Sequence, residues 1–235
     1  MGRSLSLVST RNKLRHPNIL FFYGVCVDPT LPLVVMEYCK YGNVLSYLRN
    51  RPIQTLNPNR IQLVNSSKAY DIARGIKYLH DQKIVHSDLK AVNILVNSKP
   101  QAVLADFGLS SLLQDIRTRS RTAGGNIQNV GTPYWTAPEI YNGKRMTEKS
   151  DIYSMGLTIW ELFSGEPPYQ VDLLVNFVLI LNGRPERPSN LEEDDEIWKI
   201  IQKCWDSSPE LRPSAKEVQA NIGRLCSDSI EGNSG

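Results

Sequence analysis

Cysteine is sparse in this 235-residue chain, and the four present (Cys26, Cys39, Cys204 and Cys226) stand far apart with no C-x-x-C pair. That spacing argues against a disulfide framework or a cysteine zinc site and points to a reducing compartment. Long apolar runs are missing too. The longest, Val171 to Leu181, is broken by Asp172 and Asn176, so no transmembrane segment is expected. No basic-then-apolar leader is present, which makes a cytoplasmic location the expectation. Neither sign of charge dominates. A total of 27 Lys and Arg against 24 Asp and Glu gives a net +3, too balanced for nucleic acid or an anionic membrane as the main partner. Nor are two glycines ever separated by a single residue, so G-x-G-x-x-G is absent. G-x-x-x-x-G-K-[ST] is absent as well, and with it the other common phosphate cradle.

What is present is the composition of an ordinary folded domain, 41% hydrophobic and 22% charged. Two apolar runs, Ile19 to Cys26 and Leu33 to Tyr38, flank Asp28-Pro29-Thr30-Leu31-Pro32 and predict two short strands joined by a turn. Ala69, Ile72, Ala73, Ile76, Leu79 and His80 then recur at three- and four-residue steps, the stripe of an amphipathic helix. Ile94 to Val96 and Ala102 to Ala105 predict a small hairpin, and the polar stretch from Asp115 to Pro133 a long loop. Ile152 to Phe163 is apolar nearly all round and predicts a buried helix. Ser214 and Glu217 form a capping box that opens a last helix through Leu225. The polar tail beyond Cys226 is expected to fray. Two short patterns, the myristoylation-like Met1 to Ser6 and the sequon Asn65-Ser66-Ser67, are of a kind that recurs by chance.

Three motifs follow in order. His86-Ser87-Asp88-Leu89-Lys90-Ala91-Val92-Asn93 comes after the amphipathic helix, Asp106-Phe107-Gly108 after the hairpin, and Ala137-Pro138-Glu139 after the polar loop. Each alone is common, and Asp88 and Asp106 taken singly are two solvated carboxylates. In this order and spacing they resemble the catalytic loop, metal-binding turn and activation-segment end of the eukaryotic protein kinases. The resemblance implies an α+β, protein-kinase-like fold, with a mainly helical large lobe and a remnant of the β small lobe. It implies that Asp88 handles the proton of a substrate hydroxyl, that Lys90 neutralises the transferring phosphate, and that Asn93 and Asp106 hold Mg2+ against ATP. Val34 to Cys39 is similar to the last small-lobe strand and hinge. By that match Met36 is the gatekeeper, the Glu37 carbonyl and Cys39 amide face adenine, Asn43 lies near ribose and Leu95 packs under the base. Asp151 would hold the catalytic-loop backbone, and Arg212 would pair with Glu139.

Asp88-Leu89-Lys90 and Gly131-Thr132-Pro133 resemble serine/threonine kinases, whereas Trp135 to Glu139 and the Cys204-Trp205 to Arg212-Pro213 signature are more similar to tyrosine kinases. The mixture is that of the tyrosine-kinase-like group and implies serine/threonine protein substrates, with tyrosine the alternative. The resemblance runs from about Asn12 to Cys226, leaving residues 1–11 unassigned and 227–235 as a tail. The glycine loop, the lysine strand and the glutamate of the regulatory helix (Leu7 by count) are not matched. The small lobe is then to be completed by a partner or by more chain, and a scaffold or decoy without turnover is the rival reading. Ser87 replaces the arginine that reads activation-loop phosphorylation, and Thr118, Ser120 and Thr122 interleave with Arg117, Arg119 and Arg121 in what reads as a solvated basic loop.

Overall fold

The computed structural model describes residues 14–26, 33–50, 58–107, 133–169 and 183–231. Strands β1 (Phe22–Cys26) and β2 (Leu33–Met36) pair antiparallel, with Cys26 opposite Leu33 and a bulge between Phe22 and Gly24. Both are shorter than the apolar runs that predict them. Among the described residues this sheet has two strands, and Tyr23 and Val35 on it are exposed. It is tied to the rest of the molecule just upstream of β1, where Leu20 N–H donates to Leu104 O (2.9 Å) and Leu104 N–H to Asn18 O (2.9 Å). The buried Asn18 adds a bond from Nδ2 to Ala102 O.

Helix α1 (Val44–Arg49) follows the hinge, and α2 (Pro58–Asp81) is the long helix foreseen from its stripe. It starts well before Ala69, with proline as its first residue, a position where the missing N–H costs nothing. Ala69, Ile72, Ala73, Ile76 and Leu79 are fully buried. Gly75 lets this face approach the small hairpin β3 (Ile94–Val96) and β4 (Ala102–Leu104), since a Cβ there would lie 2.7 Å from Leu104 Cδ1. The Asn65 sequon is a structural tie, its side chain buried and donating to Leu162 O.

Helix α3 (Pro138–Tyr141) leads to α4 (Glu148–Ser164), which is the axis of the core. Thr147 and Ser150 cap it reciprocally, and every residue from Ser150 to Phe163 except Ser154 is buried. Helix α5 (Glu196–Cys204) crosses it at Gly156, where an added Cβ would stand 2.7 Å from Cys204 Cβ. Helix α6 (Ala215–Glu231) packs on α2 and α5. Its start is the predicted capping box: Ser214 N–H donates to Glu217 Oε2 at 2.7 Å and Glu217 N–H to Ser214 Oγ at 3.3 Å. Its end corrects the sequence reading. The helix continues past Cys226 to Glu231, because polar residues propagate a helix already docked along one side, and Ser227 Oγ bonds back to Gly223 O. Gly108, the basic loop with Thr118, Ser120 and Thr122, and Leu7 lie outside the described residues. Among the described residues no helix is long and apolar enough to cross a membrane.

Candidate active site

The first turn of α4 carries Asp151, which is buried and accepts three hydrogen bonds. His86 N–H reaches Oδ2 at 2.7 Å, Ser87 N–H reaches Oδ1 at 2.9 Å, and His80 Nε2 on α2 lies 2.9 Å from Oδ2. One carboxylate thereby fixes the loop backbone immediately before Asp88, as expected of Asp151. Ser87 is held there at φ 71°, a conformation that costs about 1–2 kcal/mol for a residue with a Cβ. His86 is buried beneath the loop, its Nδ1 accepting from Asp88 N–H and its ring meeting Phe107 edge-on. Burial holds His86 below the usual histidine range despite the opposing pull of Asp151, Asp88 and Asp106. The imidazole is therefore a neutral prop.

Leu89 and Ala91 anchor the loop inward, leaving Asp88 and Lys90 only partly covered. A 3-10 turn, Ala91–Asn93, brings Asn93 back towards Asp88. Asn93 Nδ2 donates to Asp88 O at 2.8 Å and to Asp88 Oδ2 at 2.9 Å, while Lys90 Nζ lies 3.0 Å from that same Oδ2. Ala105 N–H donates to Asn93 O, tying the turn to the chain that presents Asp106. Asp106 is exposed and adopts φ 57°, a left-handed backbone conformation uncommon for a residue with a Cβ.

Cys39 and Leu95 pack against the buried cluster Leu20, Val103 and Ala105. Desolvation, then the Glu37 charge, push the Cys39 thiol up to about 11. Glu37 N–H donates to Phe21 O and Gly42 N–H to Cys39 O, which holds the hinge through backbone groups other than those assigned to adenine. Glu37 lines an open cavity of about 260 Å³ with Arg15, His16 and Phe21. Asn43 bridges Leu95 through its backbone and caps α1 with its side-chain oxygen on Ser46 N–H. Met36 ends β2 with 44% of its surface exposed.

Glu161 is the residue that sequence reasoning passes over. It is buried on α4, and its Oε2 accepts from Ala91 N–H and from Trp135 Nε1, both at 3.0 Å. Burial pushes its carboxyl up to about 7, opposed by those two bonds and by Lys90 and Arg49. The available signal was the one acid within the nearly all-apolar run Ile152 to Phe163. Farther out, Arg212 pairs with Glu139 as expected, through two parallel bonds.

Comparison with known proteins agrees with this geometry. A family model described as protein tyrosine and serine/threonine kinase matches residues 3–222, starting upstream of the Asn12 inferred from motifs. The chain is 34% identical over 218 residues to the serine/threonine/tyrosine-protein kinase HT1 of Arabidopsis thaliana, covering 92% of this chain and 53% of that protein. It is 37% identical over 231 residues to the serine/threonine-protein kinase CTR1 of the same plant, covering 95% and 26%. To the dual specificity protein kinase shkC of Dictyostelium discoideum it is 32% identical over 228 residues, covering 94% and 43%. The chain thus spans about half or less of the length of these relatives. A family match over nearly the whole chain, with motifs and contacts in the corresponding order, places it in the protein tyrosine and serine/threonine kinase family, in the tyrosine-kinase-like group.

Proposed function

We propose that this protein transfers the γ-phosphoryl group of ATP to serine and threonine hydroxyls of protein substrates, in the cytoplasm. The observation that carries the reading is the convergence of Asn93 Nδ2 and Lys90 Nζ on one oxygen of Asp88. Phosphoryl transfer needs positioning and charge neutralisation more than covalent participation. Asp88, held by its backbone and by Asn93, presents a carboxylate that orients a hydroxyl and takes its proton. Lys90 places a positive charge beside it to stabilise the transferring phosphate. Because Asn93 uses its Nδ2 on Asp88, its carbonyl oxygen is the group left to face a cation, and the exposed Asp106 supplies a second hard oxygen. That donor set fits Mg2+, and the ion's contribution when bound is to neutralise phosphate charge. Cys39, Leu95 and the cluster beneath them offer an apolar floor for a purine, with the Glu37 carbonyl and Cys39 amide along its edge, Met36 behind and Asn43 towards the sugar.

Serine/threonine preference is supported by Lys90 two residues after Asp88 and by relatives named as serine/threonine kinases. Cys39, Cys204 and Cys226 are free thiols, which suits a reducing cytoplasm. The exposed Tyr23 and Val35 on the two-stranded sheet support completion of the small lobe by a partner or further chain. The test is transfer from labelled ATP with Mg2+ to a mixed serine, threonine and tyrosine acceptor, followed by phosphoamino-acid analysis. Labelled phosphoserine or phosphothreonine, lost in Asp88→Asn, is the expected result. Label on tyrosine alone overturns the specificity. Tight Mg2+-ATP binding with no transfer overturns the catalytic reading in favour of a scaffold.

A further inference from the structure

We infer that Glu161 is a positioning residue that couples the catalytic loop to the segment entering α3, so that the two hold or loosen together. Its Oε2 receives the Ala91 N–H, from the peptide between Lys90 and Asn93, and the Trp135 indole N–H. Trp135 is tied a second time to α4, where Ser154 Oγ donates to its carbonyl at 2.7 Å. From Trp135 the chain passes through Thr136 and Ala137 to Glu139 and its buried bond with Arg212. Both donors are buried, so each loses more than a surface bond would if the shared acceptor left. The charged groups facing Glu161 are Lys90, on the loop it supports, and Arg49, at the end of α1. Its Oε2 is held by the two N–H donors, each at 3.0 Å. A bond network with one shared acceptor is cooperative, because fixing one donor orients the oxygen for the other.

The test is amide hydrogen exchange by mass spectrometry on peptides covering residues 86–96, 133–141 and, as a control, 69–80. Trp135→Phe removes one donor without touching the catalytic loop. It is expected to speed exchange in 86–96 as well as in 133–141 by about threefold to tenfold, the range of a lost buried hydrogen bond. Glu161→Gln retains an acceptor oxygen and is expected to leave both segments near the wild-type rate. Glu161→Ala is expected to speed both by about tenfold or more. Unchanged exchange in 86–96 on Trp135→Phe overturns the coupling. So does a uniform rise that includes 69–80, which marks a merely structural residue. The inference rests on the reading of Asp88 and Asn93 as catalytic only for its bearing on turnover. The exchange readout needs no turnover, so a protein that transfers no phosphate overturns the proposed function and leaves the coupling to stand or fall by itself.

Discussion

Arg212 and Glu139 meet as two parallel bonds, Nη1 to Oε1 at 2.7 Å and Nη2 to Oε2 at 2.8 Å, with the arginine side chain entirely out of solvent. The guanidinium also donates to Lys149 O and Asp206 O and lies over the Tyr153 ring, 5.0 Å from its centroid. One side chain therefore joins α3, α4 and the turn before α6. Arg212→Ala strands a buried carboxylate and should destabilise the fold by about 3–5 kcal/mol. Arg212→Lys keeps the charge but not the planar fork and should recover only part of that. Urea unfolding monitored by far-ultraviolet circular dichroism measures both.

Glu161 makes stability depend on pH in a direction opposite to that of an ordinary paired carboxylate. Its folded value, about 7, lies above the ordinary glutamate value of 4.5. The folded protein therefore binds the extra proton, and this contribution is whole below pH 4.5 and is lost as pH rises through 7. The difference corresponds to about 3 kcal/mol. Glu161→Gln has no such dependence. Relative to wild type it should gain about 2–3 kcal/mol between pH 5 and pH 8. The buried His86, whose value is depressed, pulls the other way in both proteins and cancels in the comparison. Parallel pH profiles for the two proteins would remove Glu161 as the titrating group.

Asp88→Asn preserves size and a hydrogen bond to the loop, so the fold should persist while transfer falls by about 10²–10⁴. Asp106→Asn should instead raise the Mg2+ concentration needed for half-maximal rate, because a charged oxygen ligand becomes a neutral one. Rates at varied Mg2+ separate the two phenotypes, and thermal unfolding confirms that both variants are folded.

Gly156 is set by packing. Its added Cβ would lie 2.7 Å from Cys204 Cβ and 3.3 Å from Ile201 O, backbone-borne atoms that cannot rotate away. Gly156→Ala should therefore cost about 1–3 kcal/mol by forcing α4 and α5 apart. The expected signature is a lower urea midpoint at an unchanged slope.

Local chemistry was readable before any coordinates. The α2 stripe, the hairpin β3–β4, the buried α4 and the Ser214–Glu217 box all depend on residues a few positions apart, where periodicity and capping geometry act directly. The order of the Asp88, Asp106 and Glu139 motifs likewise carried the family, and with it Asp151 and Arg212. The C-terminal end of α6 was not readable, because a polar helix end is set by what its other face docks against, in this case α2 and α5. Nor was the work of Asn65 and Glu161. Asn65 holds α2 to α4, and Glu161 joins the catalytic loop to Trp135, through bonds between residues far apart in the chain. Those partners exist only once the helices are placed, since a hydrogen bond needs its donor within about 3 Å of the acceptor. Composition and motif specify which side chains have the chemistry; the packing of α4 beneath the loop decides which of them meet.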